Sequence, residues 1–393
     1  MSEKILHTFE AGRRGKPDEL DSGIANLIGA SLLNQDRSAR FDLRVSGTFD
    51  NGKPLVRVSG EISEQLLLNQ RLEGGLSGII LDRYNLVHRT NLKLNEVSIT
   101  YNLKPQAHSL ASNGNAGDAG SPIAVACKDA PHHLPWERYL AVGIRDIIDN
   151  IYHNNGVVPV ELATTSGVRE LNGLRADGKV NANVIYRGSC LDSLSDLTLA
   201  IEHESSISIG EFRNKVSNIV FAYLKNLEDK HQLSFGTPEI DINGAGAWNK
   251  GGWAIDEGSR EAKPYRDGFA SHGCQEDSFS GEDPTKPSGT GTFIARYVAV
   301  QIVGNDLADY AKVTLVYKIG REKVGLNIVT NDTGKLSQEQ LEALVRKNIP
   351  LRIKDGIEMF NLRDPSLYRT VVDSSDYFQN PNLPWNQVKP LTE

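Results

Sequence analysis

Cysteine is scarce. Cys127, Cys190 and Cys274 are far apart and form no CxxC pair, which excludes a disulfide framework or a structural zinc site of clustered thiolates as the organising principle. Long apolar runs are missing as well: none approaches the ~18 residues of a membrane-spanning helix, and residues 1–14 hold neither an apolar signal core nor a cleavage pattern. The expected location is cytoplasmic. Nor does charge of one sign accumulate. The net charge is −7 with acids and bases interspersed, so there is no basic footprint for nucleic acid and no polybasic anchor for an anionic membrane. A small-molecule partner is the expectation that remains. At 393 residues, 39% of them hydrophobic, the chain can form two or three lobes, each with its own core.

Hydrophobic spacing gives a mixed pattern of helices and strands. Leu20, Ile24, Leu27, Ile28 and Leu32 recur at helical spacing after Pro17 and Asp18, which places Asp18 at the start of a helix. Residues 41–46 and 55–63 read as strands joined by a turn at Asp50-Asn51-Gly52. Segments 74–81 and 96–103 continue the alternation, and the Ser/Asn/Gly-rich stretch 109–120 marks a first boundary. Helices are expected at 139–153 and 212–227 around a hairpin of 181–186 and 197–202, with a second boundary at 229–237. From 243 to 291 hydrophobic periodicity disappears into Gly, Asp, Lys, Ser and Pro. A loop this long with order on both sides is usually functional. A helix over 293–302, a strand over 313–319 and a capping box at Ser337-x-x-Gln340 complete the expectation.

Several short segments, in order along nearly the whole chain, resemble the S-adenosylmethionine synthetase family: Gly15-Lys16-Pro17-Asp18, Ser59-Gly60-Glu61-Ile62, Asn115-Ala116-Gly117-Asp118-Ala119-Gly120 and Ala176-Asp177-Gly178-Lys179. His272-Gly273, then Phe279-Ser280-Gly281-Glu282-Asp283-Pro284-Thr285-Lys286, then Ala295-Arg296-Tyr297-Val298-Ala299 continue the series. It ends with Asn361-Leu362, Tyr368 and Leu383-Pro384-Trp385. The resemblance implies an α+β fold of three structurally similar lobes with approximate threefold symmetry, each a mixed β-sheet covered by helices on one face. The lobes would span 1–112, 113–235 and 236–393, with the active-site loop 243–291 in the last. It further implies a homodimer or homotetramer with active sites at the dimer interface, acting on ATP and methionine.

In that reaction the methionine sulfur attacks C5′ of ATP, and the triphosphate leaves and is then cleaved to pyrophosphate and phosphate. Sulfur is already a nucleophile, so catalysis rests on alignment and on neutralising a departing polyanion. By position in the series, Asp18 matches a magnesium ligand, a hard oxygen donor suited to Mg2+. Glu61, Gln106 and Asp118 match the methionine side. Asp177, Trp248 and Asp256 match adenosine contacts, with Trp248 stacking on adenine, and Lys16, Lys179, Lys263 and Lys286 match phosphate-binding cations. An isolated loop lysine is ordinarily a solvated charge; order within the series is what singles these out.

The departures fall mainly on the phosphate side. Lys16 replaces a histidine, Ala262 an arginine, Glu282 a lysine and Ser288 a second magnesium-binding aspartate. A carboxylate at 282 close to a triphosphate would cost ~1–4 kcal/mol, so Glu282→Lys is expected to raise turnover. Arg260, Arg266, Lys250, Arg13 and Arg14 are candidates to supply the missing charge. Arg44 stands in place of a glutamate that binds K+, which implies potassium independence. Three activities stay open at this point: S-adenosylmethionine synthesis, a related transfer using another nucleotide or sulfur nucleophile, and adenosine binding without catalysis.

Overall fold

The computed structural model describes residues 4–106, 116–260, 268–273 and 278–392. In chain order its main elements begin with β1 (Lys4–Gly12), α1 (Pro17–Gln35), β2 (Phe41–Asp50), β3 (Lys53–Ile62), α2 (Leu72–His88), β4 (Ser98–Pro105) and β5 (Ile123–Cys127). They continue with α3 (Trp136–His153), β6 (Leu174–Arg187), β7 (Cys190–His203), α4 (Ile209–His231) and β8 (Glu239–Ile242), and close with α5 (Pro287–Gly304), β9 (Tyr310–Val316) and β10 (Gly325–Val329). Local chemistry accounts for several boundaries. Pro17 opens α1 with Asp18 and Glu19 in its first turn, where a missing N–H costs nothing and negative charge meets the helix dipole. Asn51 and Gly52 both take positive φ, 49° and 79°, between paired Asp50 and Lys53. This two-residue hairpin turn matches the twist of the strands it joins. The Ser337 capping box forms as expected, with Gln340 reaching back to the Ser337 N–H.

The strands form three sheets, in the orders β1-β6-β7-β8, β2-β3-β4 and β10-β9-β5. In the first two, an antiparallel hairpin is followed by a crossover helix and a parallel strand: β2-β3-α2-β4 and β6-β7-α4-β8. The fold is thus a mixed α+β arrangement. Two pairings run between the expected segments 1–112, 113–235 and 236–393: β1 pairs with β6 rather than with its sequence neighbours, and β5 pairs with β9, more than 180 residues downstream. Such long-range pairing leaves no local signature in the sequence. The apolar core is correspondingly twofold, one part around α1–α4 and the first two sheets, the other around α5, β5, β9 and the C-terminal segment.

Two expectations at element ends also change. α4 runs to His231, into the stretch 229–237 read as a boundary. α5 begins at Pro287 rather than near Phe293, because the polar run 287–292 hides a helix start with proline in its first turn. Arg296 of α5 is fully buried and donates to the carbonyls of Val125, His132 and His133 and to Asn386 Oδ1. The motif residue therefore ties the C-terminal core together.

Candidate active site

The bounds of the long loop are set by β2, whose outer edge it covers. Gly258 and Arg260 donate their N–H groups to Gly47 and Val45. Further along, Leu43 donates to Gly281, and Asp283 to Phe41. An edge strand is satisfied in this way without a further regular strand. Asp21 of α1 locks the same junction, accepting from the Gly47 N–H at 3.0 Å and Trp253 Nε1 at 3.1 Å.

Where the loop leaves β8 it closes a cleft of about 480 Å³. One wall is the start of α1 with Lys16, Pro17 and Asp18, a second is Asp177, Gly178 and Lys179 of β6 with Ala200 of β7, and the third is Trp248, Gly251, Ile255 and Asp256 of the loop. Two glycines shape the walls. Gly15 sits so near β6 that a Cβ would come within 2.4 Å of Ala176. Gly178 has φ 155°, and a Cβ there would meet Ala200 O at 2.6 Å. The β6–β7 register shifts between Leu174 and Gly178, an irregularity of the kind that re-aims side chains beside sites.

Six of the sequence-derived residues, Lys16, Asp18, Asp177, Lys179, Trp248 and Asp256, therefore line one space. Their roles there differ. Asp177 Oδ1 accepts the Gly178 N–H at 2.6 Å and Oδ2 the Gly252 N–H at 2.7 Å. Burial raises its pKa against these two donors, and its carboxyl pins the loop. Glu202 does the same for Gly251, whose N–H it accepts at 3.0 Å. Lys16 Nζ lies 2.7 Å from Asp18 Oδ2; burial works to lower its pKa, but the hydrogen bond and charge of Asp18 outweigh it, leaving the ammonium above its ordinary value. Lys179 Nζ lies 3.0 Å from Glu10. Trp248 is half-buried, its indole N–H donated to Lys250 O at 2.6 Å, and Ile255 is 63% exposed. Among the described residues Asp18 accepts one further hydrogen bond, from the Ser259 N–H at 3.3 Å. Its carboxylate lines the cleft and is a hard oxygen donor of the kind that Mg2+ takes.

The other sequence-derived residues gather around Asp42, near the start of β2. Lys286 Nζ bridges Asp42 at 3.2 Å and Asp118 at 3.3 Å, and Arg260 binds Asp42 from the opposite side. Glu61 is the register partner of Asp42 across β2–β3. The Gln106 N–H donates to Ile62 O at 2.9 Å, and its Oε1 is buried with no hydrogen bond among the described residues. Lys263, Ala262 and Arg266 lie outside the described residues. Of the cations proposed as substitutes, Arg13 is buried on Asp149 and on the carbonyls of Arg175 and Asp177. Arg14 holds Asp149 and Asp373 O, and Arg260 is 1% exposed. All three are structural clamps. Lys250 and Arg44 are exposed.

The structure corrects the picture of Glu282. It is 7% exposed and accepts a hydrogen bond from Ser288 Oγ, so the two most disruptive departures are one contact. Burial, then the charge of Asp42, push Glu282 up to about 8 despite Ser288, Arg260 and Lys286. A carboxyl in this state carries little charge at neutral pH, which removes most of the repulsion expected of it. Because the folded-state value is raised, folding favours the protonated form. The stability it contributes is full below the ordinary value of 4.5 and is lost as pH rises to about 8. Unfolding free energy should therefore fall between pH 5 and 8 by at most about 1.4 kcal/mol per unit from this group, and Glu282→Gln should flatten that slope in urea titrations.

Glu10, Asp42, Glu202 and Ile255 escaped the sequence reading. Their importance comes from partners across sheets and loops, and none sits in a recognisable motif.

Residues 251–387 match the family model described as S-adenosylmethionine synthetase, C-terminal domain. Over nearly its full length the chain is similar to the S-adenosylmethionine synthase of Aquifex aeolicus (strain VF5), 26% identical over 99% of this chain and 98% of the relative. It is likewise similar to those of Desulforudis audaxviator (strain MP104C), 26% identical over 99% and 98%, and Microcystis aeruginosa (strain NIES-843 / IAM M-2473), 28% identical over 99% and 96%.

Proposed function

We propose that this chain, which belongs to the S-adenosylmethionine synthetase family as a divergent member, transfers the adenosyl group of ATP to the sulfur of methionine. The observation that carries the reading is the single cleft that collects Lys16, Asp18, Asp177, Lys179, Trp248 and Asp256 from elements up to 240 residues apart. Adenine stacks on Trp248 with Ile255 lining the same wall, and Asp256 takes a ribose hydroxyl. Lys16 and Lys179 exchange their carboxylate partners for phosphate oxygens. Magnesium, held at Asp18, supplies charge neutralisation for the polyphosphate. Glu61, Gln106 and Asp118 take the amino-acid end of methionine, the Glu61 carboxylate and the buried Gln106 amide oxygen both suiting its ammonium. The sulfur lone pair forms the new bond to C5′ while the C5′–O pair departs with triphosphate, so no proton moves in this step and alignment is the main task.

Neither Asp42 nor Glu61, Gln106, Asp118 or Lys286 lines the cleft. That division supports a homodimer or higher oligomer in which the cleft of one subunit faces the Asp42 group of another. A second reading, transfer from a nucleotide with a less charged leaving group, is favoured by one observation. Lys16, Lys179 and Lys286 are each ion-paired to a carboxylate within the chain, which lowers the fixed positive charge offered to phosphates.

The test is to incubate the protein with magnesium, ATP and methionine and to follow the sulfonium product by mass together with phosphate and pyrophosphate. Product from ATP supports the first reading. Product from another nucleotide alone favours the second, and no sulfonium product with any nucleotide contradicts both. Because Arg44 occupies the position of the potassium ligand, turnover should be unchanged when K+ is replaced by tetramethylammonium; a several-fold loss would contradict this role.

A further inference from the structure

Three side chains that this reaction does not use converge where β1, the start of α3 and the turn Ala270–His272 meet. His272 Nε2 lies 2.8 Å from Glu137 Oε1. The His7 ring lies against that of His272, centroids 4.0 Å apart, and one donor atom from each of the three residues falls within 4.8 Å of the other two. A hydroxyl lies against a polar atom of each. Ser271 Oγ is 3.1 Å from His7 Nδ1, Tyr310 OH is 3.3 Å from His272 Nδ1, and Tyr186 OH donates to Glu137 Oε2 at 2.9 Å.

Hydroxyls on the far atoms of His272 and Glu137 form the kind of outer shell that orients imidazole and carboxylate ligands on a metal ion. A structural ion pair would need only His272 and Glu137; it gives no reason for a second imidazole lying against the first.

We propose that His7, His272 and Glu137 form a binding site for a divalent transition-metal ion of the zinc class, independent of the magnesium of the adenosyl transfer. Two imidazoles and one carboxylate suit zinc, cobalt or nickel over the oxygen-seeking Mg2+ and Ca2+. Glu137 and His272 are 1% and 8% exposed, whereas His7 is half-buried and neighbours exposed Ser271, so entry and a fourth, water-filled position lie on the His7 side. The two rings are within 12° of parallel. Ligation therefore requires the more exposed His7 to turn a ring nitrogen toward the other two donors, and His272 to carry its N–H on Nδ1, beside Tyr310 OH, so that Nε2 is free for the ion.

Cobalt(II) tests this. Full-length, chelator-treated protein is titrated with Co2+ in excess Mg2+ and followed by visible ligand-field absorption. The expected result is one Co2+ per chain, displaced by Zn2+, with His7→Phe weakening binding by at least ~10-fold and Ser271→Ala by less. The phenylalanine keeps an aromatic ring against His272, and circular dichroism checks that the fold is retained. Absence of stoichiometric binding, unchanged binding in His7→Phe, or a sulfur-to-cobalt charge-transfer band assigning the ion to a cysteine would each overturn the proposal.

Discussion

Asp18→Asn should lower kcat by on the order of 10²-fold, and mixing this variant with an equally impaired Lys286→Ala should restore about a quarter of wild-type activity. Asp18 lies in the cleft, whereas Lys286 lies in the Asp42 group with Asp118. If a working site joins the cleft of one subunit to the Asp42 group of its partner, a mixed dimer holds one intact site and one doubly damaged site. Random exchange makes half of the dimers mixed, which gives the quarter. Lys286→Ala and Asp18→Asn should each separately remain near their own low rates. No recovery after verified subunit exchange would mean that each chain completes its own site, and the interface reading would fail.

Glu282→Lys should destabilise the protein by about 3 kcal/mol rather than simply raise turnover, and adding Ser288→Asp should recover most of that loss. Around position 282 stand Arg260 and Lys286, two cations, and Asp42 and Asp118, two anions. A carboxyl held up to about 8 leaves this set close to balance at neutral pH. A lysine in a site only 7% exposed adds a third cation with no third anion, and an uncompensated buried charge is what makes such substitutions costly. Aspartate at 288, where Ser288 already touches Glu282, supplies the missing partner. In urea denaturation the double-mutant cycle should show a coupling of about 1–3 kcal/mol. Additive effects would show that the two positions do not act as a pair.

The same pair shows what was and was not legible in the sequence. Read singly, Glu282 and Ser288 look like the loss of a cation and the loss of a metal ligand. In space they are one exchanged contact between the loop and the first turn of α5, and no pattern of spacing announces that. The turn at Asn51-Gly52, the helix start at Pro17 and the Ser337 capping box were legible because each is decided within a few residues. The sheet partners of β1 and β5 were not, since they are decided by strands far along the chain. Motif order picked out six residues that line one cleft, but it could not show that the Asp177 carboxyl, matched to an adenosine contact, also holds Gly178 and Gly252. It passed over Asp42, on which Lys286 and Arg260 converge. Arg13, Arg14 and Arg260 looked available as phosphate cations only because their buried partners cannot be read from composition.

A crystal structure with a non-hydrolysable ATP analogue, magnesium and methionine decides whether the cleft and the Asp42 group are two halves of one adenosyl-transfer site. The account predicts adenine against Trp248, the metal on Asp18, and the methionine ammonium at Glu61 of the partner subunit with its sulfur facing C5′. Nucleotide bound elsewhere, or methionine at a Glu61 remote from any C5′, would contradict it.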